Sequence, residues 1–245
     1  MKVDLGQSMV AFLDLVFPRN CVITGDAVGP ESPFQFISAK VARQLIPVRP
    51  PFCFTCGYPY FGAVMASDRT CPKCRELDPV YRQGRTVILL EGAGRQLVHY
   101  FKYEGARYLL KDIAKLFQLC PGLNQYLKEA VLVPVPLHPR KMRERGYNQS
   151  LALCRALVRQ EPSAELREIL CKRLDTPSQT LLTRRERMDN LRNAFAVRPD
   201  IGLRPDLRHV IVDDVFTTGS TLNACAQALD RAGIQRIDIL TLGHG

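Results

Sequence analysis

The architecture of this chain can be inferred outward from one stretch, Val210-Ile211-Val212-Asp213-Asp214-Val215-Phe216-Thr217-Thr218-Gly219-Ser220-Thr221-Leu222. Residues 210–212 are apolar without alternation, which is typical of a buried strand. From Leu222 onward apolar residues recur at helical spacing, at Leu222, Cys225, Ala226 and Leu229. The loop between these segments is therefore predicted at the carboxyl end of a strand and the amino end of a helix. Open α/β sheets bind ligands at that position.

The composition of this loop indicates a phosphate ligand. Gly219 permits close approach of the backbone, and the helix terminus adds free N–H groups and partial positive charge. The loop lacks the lysine and the spacing of a Walker A motif, so it does not indicate an NTPase. The preceding acids, Asp213 and Asp214, suit the vicinal hydroxyls of a ribose 5-phosphate, and a carboxylate here could help to hold Mg²⁺ on a polyphosphate. The hydroxyl donors of the loop are Thr217, Thr218, Ser220 and Thr221.

The whole stretch resembles the signature of type I phosphoribosyltransferases, which bind phosphoribosyl pyrophosphate (PRPP). In that family the two acids take the ribose hydroxyls and the following loop takes the 5-phosphate. The resemblance implies the same roles for Asp213 and Asp214, as candidate catalytic residues, and for residues 217–221. The alternative is an ordinary turn between a strand and a helix, with an acidic strand end.

Length, composition and charge bound the function. The chain has 245 residues, 46% of them hydrophobic, which is ample for a packed core. The formal net charge of +10 implies an anionic partner, and both polyphosphates and nucleic acid qualify. No apolar run has the length of a membrane span, and the amino terminus lacks the pattern of a secretory signal. We therefore expect a cytoplasmic protein that does not insert into a membrane.

Two cysteine pairs, Cys53-x-x-Cys56 and Cys71-x-x-Cys74, predict a structural metal site. Two such pairs can surround one Zn²⁺ with four thiolates. In a reducing cytoplasm the pattern favours a metal over disulfides, although a redox pair or an iron–sulfur site would use the same residues. No ligand position is left open for catalysis, so the ion would fold this segment.

The chain is expected to divide near Gly84. Residues 1–84 would contain an amino-terminal helix, at residues 4–17, and a small zinc-ribbon-like module. Residues 85–245 would form a type I phosphoribosyltransferase-like, Rossmann-like domain, with a parallel sheet and helices on both faces. A further knuckle begins at Cys21, but Thr24 stands where a second cysteine would be, so that site is expected to be empty. We expect the zinc module to take the position of the acceptor-selecting hood of many type I enzymes.

A basic segment follows the strand predicted at residues 131–136. Because another helix begins after Asn148, the segment is predicted to be a loop at the same sheet edge as the phosphate loop. Because the cations of this segment repel one another, a bound anion would stabilise them, and pyrophosphate is the obvious candidate. The alternative is a basic loop that is exposed to solvent and binds nothing. The candidate residues are His138, Arg140, Lys141, Arg143, Arg145, Asn148 and Gln149.

Two other segments contain side chains that are suited to binding nucleotides. Residues 101–105, Phe-Lys-Tyr-Glu-Gly, could contact bases or phosphates, although roles in the core and its rim fit equally well. Residues 175–195 are polar and rich in arginine. They could close over a bound polyanion as a lid, or offer a basic surface to nucleic acid.

Across nearly its whole length the chain resembles the ComF family, which includes ComFC and GntX. The resemblance implies that Gln179, Arg187 and Asn190 belong to the lid. It also implies a role in competence, the uptake of external DNA and its use for transformation or as a nutrient. Thr24 departs from the family pattern, which affects only the first knuckle. The shared features are the cysteine knuckles, Phe101-Lys102-Tyr103-x-Gly105, residues 133–138, Arg145-Gly146-Tyr147-Asn148-Gln149, Gln179-x-x-Leu182 with Arg187 and Asn190, and the signature with Asp213 and Asp214.

Three functional hypotheses follow. The first is a PRPP-binding, phosphoribosyltransferase-like protein of competence or DNA utilization, with single-stranded DNA and a DNA-uptake helicase or translocation machinery as candidate partners. The second is an active transferase that moves ribose 5-phosphate from PRPP to a nitrogen acceptor, with Mg²⁺ and the basic segment stabilising the leaving pyrophosphate. Enzymes of 6-oxopurine salvage carry, at the position of Thr217, an acidic residue that acts as the base for the acceptor nitrogen. Threonine cannot act as that base, which argues against a 6-oxopurine acceptor. The third is a single-stranded DNA-binding adaptor without turnover.

Overall fold

The computed structural model describes residues 19–60, 70–172 and 194–245. Its centre is a five-stranded sheet in which every pair of neighbouring strands is parallel. A separate antiparallel pair is formed by the short strands β4 (Leu170–Lys172) and β5 (Phe195–Val197). In spatial order, the strands of the main sheet are β1 (Gly84–Leu89), β7 (Ile237–His244), β6 (His209–Phe216), β2 (Val131–Pro134) and β3 (Glu165–Leu166).

Helices cover both faces of this sheet. On the first face lie α3 (Ala93–Tyr103), α4 (Leu110–Gln118), α5 (Leu123–Leu127) and α7 (Gln149–Gln160), with a 3₁₀ turn at Arg107–Leu109. On the second face lies α8 (Ser220–Arg231), together with the β4–β5 pair. The remaining short helices are α1 (Ala39–Ala42), α2 (Pro72–Leu77) and α6 (Pro139–Arg145).

Strand β6 shows why the core has two layers. Val210 and Val212 pack into the first layer, whereas Ile211 between them packs into the second. Alternate residues of a strand point to opposite faces, and both faces here are covered, so the run is apolar without alternation. The predicted fold class, a parallel α/β sheet with helices on both faces, is confirmed.

Two local predictions need correction. Strand β6 is longer than residues 210–212, because the residues around the acids continue to pair with β7, as Asp213 does with Thr241 and Phe216 with His244. The basic segment is not a loop throughout. It forms α6, which Pro139 begins at its first position and Gly146 ends in the left-handed conformation.

The cysteine-containing amino-terminal part wraps around the edge of the sheet at β1. Residues 46–48 pair with β1, where Val48 N donates to Val87 O (2.8 Å) and Leu89 N donates to Ile46 O (2.9 Å). The part that precedes this segment packs into the first layer, with Cys21 in its core, and the four other cysteines of the region pack into the second. The division of the chain near residue 84 stays a prediction, and the helix predicted at residues 4–17 lies outside the described residues.

Candidate functional site

The two signature acids lie at the carboxyl end of β6, which runs between β7 and β2. Asp214 is 6% exposed, and one of its oxygens, Oδ1, lies 2.9 Å from Lys102 Nζ on α3. Asp213 Oδ1 accepts hydrogen bonds from Ser150 Oγ on α7 and from the backbone N–H of Asp214, both at 2.9 Å. Two different helices therefore hold the two carboxylates in place.

The environment of Asp213 opposes its ionisation. Burial, and then the negative charge of Asp214, raise its pKa to about 7, although the hydrogen bond from Ser150 and the charge of Lys102 act in the other direction. At neutral pH a carboxyl group with this pKa is present in both its protonated and its ionised form, so a small change in its surroundings shifts the balance between them. Groups that donate hydrogen bonds, such as sugar hydroxyls, would favour its ionised form.

The loop after β6 brings the predicted phosphate-binding groups beside these acids. Gly219 has φ +77° and is the amino-terminal cap of α8, so it adopts the conformation that favours glycine. Thr218 Oγ1 lies 3.0 Å from Ser220 Oγ and accepts from Ser220 N at 3.4 Å. Thr217 and Thr218 are exposed at the start of the helix. The hydroxyls and the helix terminus can therefore face one anion.

Gly219 has a second role that the sequence did not reveal. A Cβ atom at this position would lie 2.6 Å from Leu77 Cδ2 and 2.6 Å from Phe216 Cζ. Leu77 belongs to α2, the helix that contains Cys74. The cysteine module therefore packs directly behind the phosphate loop. That the module takes the position of a hood stays a prediction.

The residues of the basic segment have different surroundings. His138 caps α6 by accepting a hydrogen bond from Arg140 N at Nδ1 (3.3 Å), and Arg140 pairs with Glu144 on the helix surface (3.1 Å). Lys141 and Arg143 make no ion pair with another described residue. An anion could engage these two side chains without breaking an ion pair to any residue that the structure describes.

The end of the basic segment is built into the core. Asn148 caps α7 and donates from Nδ2 to Val135 O (3.0 Å), so it fastens the segment to the end of β2. Arg145 donates to Gln149 Oε1 (3.2 Å), and its guanidinium lies 5.0 Å from the centre of the Tyr103 ring. The structure thus brings the predicted pyrophosphate residues to the same sheet edge as the phosphate loop.

Two motifs that are distant in sequence meet beside the acids. Gln149 Nε2 donates to Lys102 O (3.3 Å), and Tyr147 donates its hydroxyl proton to Phe101 O. Lys102 thereby reaches Asp214 from a firmly held helix end. The sequence marked residues 101–105 only as a mixed aromatic and basic run, and nothing local indicates that Lys102 would pair with Asp214. The lid candidates Gln179, Arg187 and Asn190 lie outside the described residues.

The four predicted metal ligands come together. The sulfur atoms of Cys53, Cys56, Cys71 and Cys74 all lie within 4.8 Å of one another, and all four residues are buried. Cys56 Sγ and Cys71 Sγ are 3.8 Å apart. A tetrahedral ion with Zn–S bonds of about 2.3 Å places its sulfurs about 3.8 Å apart. Four buried thiols can all ionise only beside a cation, so the cluster could hold a metal ion such as zinc.

The turn around this cluster has a defined hydrogen-bond pattern. Cys53 N donates to Tyr58 O (2.7 Å), and Gly57 N donates to Cys53 O (2.8 Å). Phe52 forms an antiparallel bridge with Pro59. Cys71, further along the chain, caps α2 and donates from its backbone to Cys53 Sγ (3.2 Å).

The same pattern occurs a second time around Cys21. Cys21 N donates to Asp26 O (2.7 Å), Gly25 N donates to Cys21 O (2.8 Å), and Asn20 forms an antiparallel bridge with Ala27. The first knuckle predicted from the sequence is thus a complete turn, although it is not a metal site in the described residues.

The resemblance continues into the helices that follow the two turns. Ser38 holds the N-cap position of α1 as Cys71 holds that of α2, although only Ser38 caps its helix through the side chain, and Val41 stands at the spacing of Cys74. Burial alone would raise the pKa of Cys21, but hydrogen bonds from the backbone of Ser38 and from Thr24 help to lower it to about 7. In the turn at Cys21, hydrogen bonds to the Cys21 sulfur and apolar packing stand where the turn at Cys53 has its cluster of four cysteines.

Among the described residues, no helix combines the length and the apolar character that crossing a bilayer requires.

The fold and the described side chains define an α/β protein with a parallel sheet covered on both faces, and with an added cluster of four cysteines that could hold a metal ion. No protein-family model matches the chain. The DNA utilization protein YhgH of Escherichia coli K12 is 32% identical, over 78% of this chain and 82% of that protein. Competence protein F of Haemophilus influenzae is 28% identical, over 79% and 85% of the two chains. The chain belongs to the ComF family, as its motifs predicted.

Two further comparisons are more distant. Competence protein ComFC of Streptococcus pneumoniae is 25% identical over 69% of this chain and 74% of that protein. Among solved structures, a hypoxanthine phosphoribosyltransferase from Staphylococcus aureus matches with a TM-score of 0.34 and 14% identity. It covers 56% of this chain and 64% of that one, a likeness too distant to support an argument.

Proposed function

We propose that this chain is a cytoplasmic PRPP-binding protein that acts in competence or in the use of external DNA. The observation that carries the proposal is the pair of carboxylates at the end of β6, directly followed by a hydroxyl-rich loop and a helix terminus. The names of the relatives, competence protein and DNA utilization protein, supply the biological role.

Each part of PRPP has a proposed partner at the carboxyl edge of the sheet. Asp213 and Asp214 accept hydrogen bonds from the two ribose hydroxyls, and residues 217–221 surround the 5-phosphate. Lys141 and Arg143 would engage the pyrophosphate, and a bound Mg²⁺ would neutralise part of its charge. Lys102 lies 2.9 Å from Asp214, so its charge would also be near a phosphate on the ribose that Asp214 holds.

The test is a calorimetric titration of PRPP with Mg²⁺ into the wild type and the Asp214→Asn variant. The substitution keeps the size of the side chain but removes the charge, and we expect affinity to fall by roughly tenfold or more. Asp206→Asn is the matched control, because Asp206 is exposed and lies before β6. Equal affinity in the wild type and Asp214→Asn would refute the site assignment.

The second candidate is an active transferase. A nitrogen nucleophile would form a bond to C1 of the ribose while the bond from C1 to the pyrophosphate oxygen breaks, and the proton of the nitrogen would pass to water. The basic segment would neutralise the charge of the leaving pyrophosphate, and a bound Mg²⁺ would add positive charge to the same group. Lys141 and Arg143, which make no ion pair with the described residues, favour this chemistry at the site edge. Release of pyrophosphate that requires an added acceptor would establish it.

The third candidate, a single-stranded DNA-binding adaptor without turnover, predicts a different result. DNA would then bind with strong salt dependence, and no acceptor would release pyrophosphate. For the cysteine cluster we propose one Zn²⁺ with a structural role, held by Cys53, Cys56, Cys71 and Cys74.

A further inference from the structure

A groove of about 670 Å³ lies between α4 and α7, and neither signature carboxylate lines it. Gln160 Nε2 donates to Ala114 O (2.7 Å), so the two helices are in direct contact at one end. At the other end the lining reaches residues 146–148, next to the basic segment. The groove therefore lies beside the proposed PRPP site without sharing its carboxylates.

The floor of the groove is apolar and remains partly open to solvent. It is formed by side chains that are each half-buried, namely Leu110 and Ala114 of α4 and Leu151, Ala152 and Ala156 of α7. A row of partly exposed apolar side chains along a groove is typical of a surface that another chain covers. Three of the five residues are alanines, and small side chains let the backbone of a further helix come close to both helices.

The walls of the groove are cationic. Arg107 and Lys111 line it on the α4 side, Arg155 and Arg159 line it on the α7 side, and all four are exposed. None of the described residues that line the groove is an aspartate or a glutamate. The two arginines of α7 are four residues apart, which is about 6 Å along the helix axis. Carboxylates one turn apart on a docked helix have nearly the same spacing, so the two rows can pair.

The cations of the walls are available to a partner. Lys111, Arg155 and Arg159 make no ion pair with a residue that the structure describes. The acids that follow two of them in the chain have other partners. Asp112 accepts hydrogen bonds from two backbone N–H groups of the amino-terminal part (both 2.7 Å), and Glu161 accepts one from a serine hydroxyl (2.6 Å). Carboxylates supplied by a second molecule would therefore displace no ion pair among the described residues.

The side chains of the lining favour a peptide over a nucleic acid. Tyr147 is the one aromatic residue among the described residues of the lining; it is 9% exposed, and its ring centre lies 4.6 Å from the Arg107 guanidinium. The described lining therefore has no exposed ring on which an unpaired base could stack. It has instead the apolar floor and, at one end, Met142, a flexible side chain that is 37% exposed and can adapt to an apolar partner.

We propose that this groove binds an amphipathic, acidic α-helix of a partner protein. The apolar face of that helix covers the floor, and carboxylates along its two edges pair with the cationic walls. The dimensions agree, because α7 lines the groove from residue 151 to residue 160, which is about 14 Å or two and a half helical turns. The inference does not rest on PRPP binding, since no residue of the stretch 210–222 lines the groove.

The experiment is fluorescence anisotropy with a labelled model peptide of about 18 residues, a length that can form a helix by itself. The peptide consists of leucine, alanine and glutamate, with the leucines at helical spacing on one face. A second peptide has the same composition in a scrambled order, so that its leucines share no face. The wild type should bind the amphipathic peptide, and it should bind the scrambled peptide at least fivefold more weakly, because only the former can cover the floor.

The test variant is Arg155→Ala with Arg159→Ala. The control is Lys128→Ala with Arg236→Ala, which removes the same charge from exposed positions before β2 and β7. Loss of two charge pairs at the rim should weaken binding of the amphipathic peptide by roughly fivefold and reduce its dependence on salt. The control should bind like the wild type.

Several outcomes would overturn the proposal. These are no binding of the amphipathic peptide by the wild type, equal binding of the scrambled peptide, and equal losses in the test and control variants. A labelled oligothymidylate that binds more tightly than the peptide, with the same dependence on Arg155 and Arg159, would also overturn it, in favour of a nucleic acid.

Discussion

The ionisation of Asp213 depends on its burial and on the neighbouring Asp214. A bound ribose should shift that ionisation. The pKa of Asp213 is raised to about 7 by burial and by Asp214, and ribose hydroxyls that donate to it should lower the pKa. PRPP binding near pH 6.5 should therefore release a proton from Asp213. Affinity should rise with pH and level off above about 7, with a loss of up to roughly tenfold per pH unit below it.

Calorimetry in buffers with different ionisation enthalpies measures that proton. PRPP phosphates also titrate in this range, so Asp213→Asn is the reference, and at pH 6.5 it should release up to about three quarters of a proton fewer than the wild type. Identical proton release in both proteins would contradict the assignment. Stability of the free protein should follow the opposite trend. The folded-state pKa of Asp213 is raised, so its stabilising contribution is present at low pH and is lost as the pH rises through about 7.

Gly57 and Gly25 offer a matched pair of substitutions. Both have positive φ, +80° and +76°, and both follow the second ligand position of a turn. A Cβ at Gly57 would lie 2.6 Å from Thr86 N on β1, whereas a Cβ at Gly25 would meet nothing within 4 Å. Gly25→Ala should cost only the backbone strain, about 1 kcal/mol, and Gly57→Ala about 2 kcal/mol more. Urea unfolding measures the difference, and equal costs would be evidence against the packing of this turn on the sheet.

The clustering of the four cysteines could be predicted because their spacing is contained within a few residues. The position of Asp213 and Asp214 at a strand end could be predicted for the same reason, and their role as ligands of a ribose stays a prediction. Lys102 could not be assigned to Asp214 in this way, since their contact depends on how α3 packs beside β6. The role of Gly219 in packing against Leu77 was hidden for the same reason.

At the scale of elements, the two turns of the amino-terminal part suggest how a second metal site could be restored. The first turn has the same backbone hydrogen bonds as the second, but it carries Thr24, Ser38 and Val41 where the second carries Cys56, Cys71 and Cys74. Because Cys21 is already in place, the triple variant Thr24→Cys, Ser38→Cys, Val41→Cys should bind one additional zinc ion per chain.

Metal analysis by atomic absorption should then give about two zinc ions per chain in the triple variant and about one in the wild type. Cys71→Ser in the wild-type background should reduce the content towards zero, while Cys120→Ser, outside the cluster, should leave it unchanged. A triple variant that still binds one ion would show that the first half is not equivalent to the second.

Elements were predicted more reliably than their ends. The strands β2 and β6 were visible as apolar runs, and the helices α7 and α8 could be predicted after them. Helix α6 was missed because its residues are charged and exposed, so no apolar periodicity marks it. Only the proline at its start and the glycine at its end signal a helix, and such signals also occur in loops.

At the scale of the whole molecule, the cysteine module and the proposed PRPP site should be coupled. Helix α2 carries both Cys74 and Leu77, and Leu77 packs against the loop at Gly219. Removing the metal with a chelator should loosen α2 and weaken PRPP binding by roughly fivefold or more, and added zinc should restore it.

Leu77→Ala provides the second arm of that test. It should retain the metal and still weaken PRPP binding, because it removes the side chain behind the loop without touching a sulfur ligand. The readouts are zinc content and PRPP affinity on the same samples. A metal-free protein that binds PRPP as tightly as the metal-loaded protein would exclude the coupling.

The overall arrangement was only partly contained in the sequence. Composition and motifs predicted a parallel sheet and a cysteine module, because each follows from local periodicity or spacing. The wrapping of the module around the β1 edge, with one half in each core layer, depends on contacts between distant segments.

The position of residues 46–48 has a consequence for aggregation. An uncovered parallel strand at a sheet edge offers its backbone groups to other chains, and Val87, Ile88 and Leu89 of β1 are apolar. Residues 46–48 cover this edge. They follow the turn at Cys21, around which the described residues form no cluster of metal ligands. Cells that are short of zinc should therefore lose ligand binding in this protein before they lose its solubility, and the affected molecules could recover when zinc returns.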